Sequence, residues 1–433
     1  MKKVFALLLV FSMCTAIISG CTGNLSTNDS DSSGGDNNSE VTLTLYHRYA
    51  TEDQTAFMDK IIAKFEEENP GIKVNVSTSG RDEYRDKLKV VLGSNDIPDV
   101  YFCYAYENVY EIIREGKCMD LTEYFNADDE WKNSYLNGVL DGYTYEGKLY
   151  GVPYRVSISV IMYNKDIYDT YGLEVPETMD ELIANCEVLQ QSGVQPFVWS
   201  NAEMWPAPQW IGAFNNQYVS KDVLAADYAL EGDFSDPGYL SSFSLLSTLL
   251  SYGNEDVNAK TYTLGEEAFA SGEVAMMWGE SVSVGDIIKL NETCNFGVFT
   301  IPIITEGKGD QTGVQGGPEG FVINPDTQYP EEAIKLIKFL SSAEVGQMMM
   351  EDLQWFNGAD NVVQISSEEL TPIEQAYVIL QGSSGLLPFL DTAMNSSVAN
   401  LYIANMQSYI DGSVSAEEVM ENVREEAQFF ANE

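Results

Sequence analysis

The chain has 433 residues, 44% of them hydrophobic, and a formal net charge of -44. That length and apolar content suffice for two lobes with large cores. The acidic excess excludes nucleic acid, whose phosphates need a basic surface, and offers no attraction to an anionic membrane. With 67 acidic residues, two neighbouring carboxylates carry no information about catalysis.

The first predicted element is a secretory signal over residues 1–20. Lys2 and Lys3 form its basic end, and Val4 to Ile18 is apolar but too short to span a bilayer. It ends in Ile18-Ser19-Gly20-Cys21, which resembles the bacterial lipobox. That resemblance implies that Cys21 is the mature N-terminus and carries a diacylglycerol, whose two chains suffice for stable anchoring. Residues 21–40 are rich in Ser, Asn, Asp and Gly, with Leu25 the one sizeable apolar side chain, and read as a flexible tether. Beyond Cys21, the cysteines are Cys103, Cys118, Cys186 and Cys294, none at metal-ligand spacing, and the chain has one histidine. No metal site or cofactor is expected. Three disulfide pairings are open to four cysteines, with buried free thiols as the default.

Structure is predicted to begin with an alternating strand, Val41 to Tyr46. Phe57, Met58, Ile61, Ile62 and Phe65 recur at helical spacing, Asn69-Pro70-Gly71 stops that helix, and Ile72 to Val76 alternates again. A helix around Tyr84 to Leu92 and a strand at Asp99 to Phe102 continue the pattern of an open α/β sheet. Val156, Ile158, Val160 and Met162 then alternate after the extended Gly151 to Tyr154 segment, forming a strand suited to cross between lobes. Capping boxes at Thr178 to Glu181, Ser341 to Glu344, Thr371 to Glu374 and Ser415 to Glu418 open helices, so the last third is mainly helical.

The stretch from Trp199 to Trp210 holds half of the six tryptophans. Pro206 and Pro208 argue against a regular helix across its second half, which leaves the rings on a shaped loop. Rings interleaved with Asn201, Glu203 and Gln209 suit a ligand with apolar faces and polar edges, such as a sugar. The competing reading is a core plug, and Trp199, directly after Phe197-Val198, is predicted to be buried. Three strand exits carry polar candidates: Tyr46-His47-Arg48-Tyr49, Arg81, and Cys103-Tyr104-Ala105-Tyr106. His47 has no nucleophile motif beside it and is read as hydrogen-bonded or exposed. Arg48, Arg81 and Arg155 either bridge hydroxyls or an acidic sugar, or pair with neighbouring carboxylates.

Several motifs occur in one order: Lys64-Phe65-Glu66-Glu67-Glu68-Asn69-Pro70-Gly71, Ile97-Pro98-Asp99-Val100, Gly147-Lys148-Leu149-Tyr150-Gly151-Val152-Pro153-Tyr154, Met162-Tyr163-Asn164-Lys165-Asp166, and Phe269-Ala270-Ser271-Gly272-Glu273 through Trp278-Gly279. Gly316-Gly317 and Pro330-Glu331-Glu332-Ala333 follow. Together they resemble the family 1 extracellular solute-binding proteins of ABC importers, the maltose-binding-like group. The resemblance implies an α/β, two-lobed, periplasmic-binding-protein-like (type II) fold with a hinge and an interlobe ligand cleft. It places lobe one at 41–155 plus 300–345 and lobe two at 156–299 plus 346–433. It also implies a monomeric, non-catalytic receptor on the extracytoplasmic face of the cell membrane, passing an oligosaccharide to ABC permease subunits. The alternatives are a non-sugar cargo such as iron, a peptide or a polyamine, or a surface glycoside hydrolase. The ligand-binding residues expected are Tyr46, Arg48, Arg81, Tyr104, Tyr154, Arg155, Trp205, Trp210, Trp278, Glu280, Gly317 and Glu319. Trp278 is the strongest of these by resemblance, and Trp355 belongs to the cleft or to helix packing.

Overall fold

The computed structural model describes residues 40–94, 96–362 and 369–432. The expected signal, Cys21 and the tether up to residue 39 lie outside the described residues, as does the side chain of Arg81. Eleven strands occur among the described residues: β1 (Val41–His47), β2 (Ile72–Thr78), β3 (Val100–Tyr104), β4 (Thr144–Tyr145), β5 (Lys148–Leu149), β6 (Gly151–Asn164), β7 (Gln195–Val198), β8 (Val274–Glu280), β9 (Phe296–Phe299), β10 (Val314–Ile323) and β11 (Leu386–Leu387). The main sheet runs β2-β1-β3-β10-β6-β8-β7, with β9 on β6 and β11 on β10.

The alternating N-terminal segments form a parallel unit, β1 pairing with β2 on one side and β3 on the other. Between β1 and β2 runs the helix Glu52–Glu68, whose Phe57, Met58, Ile61, Ile62 and Phe65 are buried. Spacing of three and four residues places those five on one face against the sheet. A full Thr51–Gln54 capping box starts that helix.

Strand β6 joins the two halves of the molecule. Its first half pairs antiparallel with β10, and its second half with β8 and β9. Period-two alternation sends Val156, Ile158, Val160 and Met162 into one cluster with Phe269, Phe356 and Tyr377, while Ile161 points to the opposite face. A first core gathers around β1, β3 and the helices Pro330–Leu340 and Ala343–Leu353, and reaches Trp355. A second gathers Leu182, Trp199, Phe214, Phe243, Trp278, Ile301, Ile304 and Tyr402. The result is a two-lobed α/β fold with a cleft between its cores.

The helix ends follow their caps. Boxes at Thr178, Thr371 and Ser415 are complete, Pro372 sits at the first helical position, and Gly193 takes φ +80 just past its helix. The box expected at Ser341 is displaced by one residue, because Ser342 accepts from the Val345 N–H and caps instead. Cys103, Cys118, Cys186 and Cys294 are free, the first three buried.

The tryptophan stretch departs from the loop expected of it. A helix runs Pro206–Tyr218, with Pro206 at its first position and Trp205 as N-cap. Both prolines fall in the first turn, where the missing N–H has no intrahelical acceptor to lose and the fixed φ is already helical. The prolines therefore start the helix rather than forbid it. Trp199 is fully buried, its ring centroid 4.8 Å from Phe197 and 4.7 Å from Trp210.

Candidate ligand-binding cleft

A cleft of about 810 Å³ opens between the two cores, within the size range of small-molecule sites. Its first wall is built on β1, β6 and β10. Arg48 follows β1, and Arg155 on β6 lies directly opposite Glu319 on β10. A register shift follows at Glu319/Gly320, where a Cβ on Gly320 would stand 2.0 Å from the Val152 carbonyl oxygen, so this bulge requires glycine.

Glu319 draws the donors of this wall together. The Arg48 Nη2 donates to its two oxygens at 2.6 and 2.7 Å, the Arg155 Nη2 to Oε2 at 2.7 Å, and the Tyr49 hydroxyl to Oε2 at 3.1 Å. Side-chain exposure is 7% for Arg48, 6% for Arg155 and 14% for Glu319. Burial works against the Arg48 cation, but the adjacent Glu319 carboxylate outweighs it and holds the guanidinium above the ordinary arginine range. Aromatic rings complete the packing: Arg155 lies 4.3 Å from the Trp355 centroid and Arg48 5.2 Å from that of Tyr104. Arg85, from the helix Arg81–Leu92, stacks on Tyr104 at 4.4 Å.

The second wall stands on β8 and on the starts of the helices Pro206–Tyr218 and Tyr262–Ala270. Glu280 ends β8 and accepts from Ser157 Oγ at 2.5 Å and Gln209 Nε2 at 2.9 Å. The Tyr262 hydroxyl accepts from the Glu280 N–H at 3.2 Å and bonds Ser283 Oγ at 3.0 Å. Burial, then Glu266 and Glu280, drive the Tyr262 phenol far above its usual range. Trp205 lies against Tyr262, centroids 4.6 Å apart and tilted by 49°. The Tyr262 N–H donates to Glu203 at 3.1 Å, one carboxylate satisfying a helix N-terminus. The walls meet where Trp355 Nε1 donates to the Val282 carbonyl at 3.2 Å and Lys289 pairs with Asp53 at 2.6 Å.

Of the residues expected at a ligand, Arg48, Tyr104, Arg155, Trp205, Glu280, Gly317 and Glu319 line this cleft, and so does Trp355. Four others do not. Trp278 is buried in the second core, its indole donating to Ser159 Oγ at 2.7 Å and its ring edge-on to Phe214. Trp210 is buried against Trp199, because its position in the helix turns it inward. Tyr154 packs between Tyr49 and Phe321, since its position on β6 faces the first core. Tyr46 stacks on Tyr84 and bonds Ser79, away from the cleft. Arg81 begins its helix, and its side chain is not among those described. His47 is buried, its Nδ1 accepting the Tyr49 N–H at 3.1 Å, and burial lowers its pKa to about 4. It does not line the cleft.

Arg85, Tyr262 and Phe389 line the cleft without having been singled out in the sequence. Arg85 sits in a helix full of charges, where one more cation reads as a solvated face. Tyr262 had a local signal in Thr261, which caps its helix, but nothing in that signal points to a cleft. Phe389 arrives from a segment remote in sequence. Among the described residues no group of three His, Cys, Asp or Glu could hold a metal ion, and no helix is long and apolar enough to cross a membrane.

The family profile for bacterial extracellular solute-binding protein matches residues 49–347. The melibiose/raffinose/stachyose-binding protein MelE of Bacillus subtilis is 24% identical over 374 residues, covering 84% of this chain and 82% of its own. An sn-glycerol-3-phosphate-binding periplasmic protein, UgpB of Brucella melitensis, is 27% identical over 222 residues, covering 49% of this chain and 50% of its own. A solved chitin oligosaccharide binding protein superposes with a TM-score of 0.78 at 21% identity, covering 91% of this chain and 100% of that one. At that identity the superposition establishes the fold.

Proposed function

Because the chain belongs to the bacterial extracellular solute-binding protein family, we propose that it binds an oligosaccharide in the cleft between its cores and delivers it to an ABC transporter permease. The family is extracytoplasmic, and ligand capture takes place on that side of the membrane. In this reading Cys21 carries the lipid anchor, the tether up to residue 40 gives the receptor reach, and the protein works as a monomer.

The observation that carries the reading is the composition of the second wall. Trp205 and Tyr262 present adjoining rings, and Glu280, Gln209 and Glu203 stand at their edges. A pyranose has apolar faces for stacking and a rim of hydroxyls for hydrogen bonds, so this alternation fits it. Each stacked ring contributes about 0.5–1.5 kcal/mol beyond area burial, and several contacts together reach micromolar affinity without any reaction. The named sugar specificities of MelE and of the chitin oligosaccharide receptor support the same ligand class. Hinge motion about β6 and β10 closes the walls over the sugar.

The receptor does not turn its ligand over. Support for this comes from the family, whose profile is that of solute-binding proteins. A thermal-shift panel of neutral di- to tetrasaccharides tests the reading. A true ligand at about 100 times its Kd adds about 2.7 kcal/mol of stability, and the sugar is recovered chemically unchanged. Catalytic consumption of the sugar, or no stabilisation by any carbohydrate, overturns it.

A further inference from the structure

We propose that the cleft takes uncharged sugars and rejects acidic ones, because Glu319 already occupies the paired guanidinium groups that an anionic ligand would seek. The inference rests on the carbohydrate reading above and narrows the substrate class of the same site.

Arginines in a cleft have two chemical meanings. They bridge neutral hydroxyls, or they clamp a carboxylate or phosphate. Here the clamp is filled from within the chain. One Glu319 oxygen receives Arg48, and the other receives Arg48, Arg155 and Tyr49. The site has little exposure, and Glu319 is fixed by its place opposite Arg155 in the β6–β10 ladder. A ligand carboxylate would have to displace a built-in carboxylate that the strand register holds in place.

The facing wall adds to this discrimination. Glu203 and Glu280 stand on it, and Glu266, Asp286 and Asp391 also line the cleft, while Arg48 and Arg155 belong to the wall that contains Glu319 and Arg85 lines the cleft beside Tyr104. Among the described residues the lining therefore holds six carboxylates, Glu319 included, and three arginines. A second anion placed between these walls meets like charge in a partly dry space, where such repulsion is screened less than in water. Sugar hydroxyls gain from the same arrangement: they donate to the carboxylates and accept from Arg85.

Titration calorimetry at low ionic strength tests the inference on the full chain. Neutral di- to tetrasaccharides are compared with counterparts bearing one uronic acid or one phosphate, and sn-glycerol 3-phosphate serves as the smallest anion. The expected result is that a neutral sugar binds and its acidic counterpart binds at least about tenfold more weakly. Acidic counterparts binding as tightly as neutral sugars, or binding alone, overturn the inference and leave the carbohydrate reading standing. No binding in either arm overturns that reading and the inference with it. As a second arm, Glu319→Ala is melted with and without added acetate. Acetate raises its Tm and leaves the wild-type Tm unchanged, because only the variant has an empty clamp; equal response in both proteins overturns the inference. Should the variant fail to fold, the wild-type titration decides alone.

Discussion

On the first wall of the cleft, Arg48, Arg155 and Tyr49 direct their donors at one carboxylate, Glu319, and the group sits nearly dry between aromatic rings. On the second wall, Trp205, Tyr262 and Glu280 are linked by a ring contact and hydrogen bonds and line the cleft with rings and a carboxylate. The difference separates two uses of similar residue types. A polar network gathered on one buried carboxylate is frame, and breaking it leaves a buried charge without compensation. A wall whose polar edges still face the cleft is the recognising surface.

The largest expected effect follows from that contrast. Glu319→Gln removes the negative charge shared by two buried guanidiniums and is expected to lower stability by about 3–5 kcal/mol, read from the urea midpoint. Glu280→Gln, on the second wall, is expected to shift the same midpoint little and to weaken sugar binding instead. Equal stability losses in the two variants would erase the distinction between the walls.

A related pair concerns the tryptophans. Trp278→Ala opens a cavity in the second core and is expected to cost about 3–5 kcal/mol of stability. Trp205→Ala is expected to leave the urea midpoint close to wild type and to weaken sugar affinity by roughly 1 kcal/mol, the scale of one aromatic contact. Affinity unchanged by Trp205→Ala would move the ligand off the second wall.

His47, behind the first wall, supplies a pH test. Its pKa is lowered from 6.5 to about 4 by burial, so between those values the unfolded chain binds a proton that the folded chain does not. Stability from this group is complete above pH 6.5 and is lost as pH falls to about 4, for a total of about 3 kcal/mol. His47→Gln is expected to flatten the fall in Tm over that window relative to wild type. Parallel curves for the two proteins would contradict a buried, neutral His47.

The sequence reading succeeds where a local pattern has one physical meaning. The helix face carrying Phe57, Ile61 and Phe65 leaves little choice, and a Thr-x-x-Glu box marks a helix start wherever it caps one. It fails where burial on both faces removes the pattern. Strand β8 is buried from Val274 to Gly279, so alternation could not distinguish Trp278 pointing inward from Trp278 pointing at a ligand. Pro206 misled for another reason: its effect depends on whether it falls inside a helix or at its first turn, and only the fold decides that. The pairing of Arg48 and Arg155 with Glu319 joins residues 271 and 164 positions apart, which no short-range spacing encodes.

The crystal structure of the protein with its tightest-binding neutral oligosaccharide tests the central claim most directly. A sugar ring is predicted against Trp205 and Tyr262, with hydroxyls donating to Glu280 and with Glu319 still held by Arg48 and Arg155. Sugar bound outside the cleft, or Glu319 displaced from its arginines by the ligand, would contradict the account.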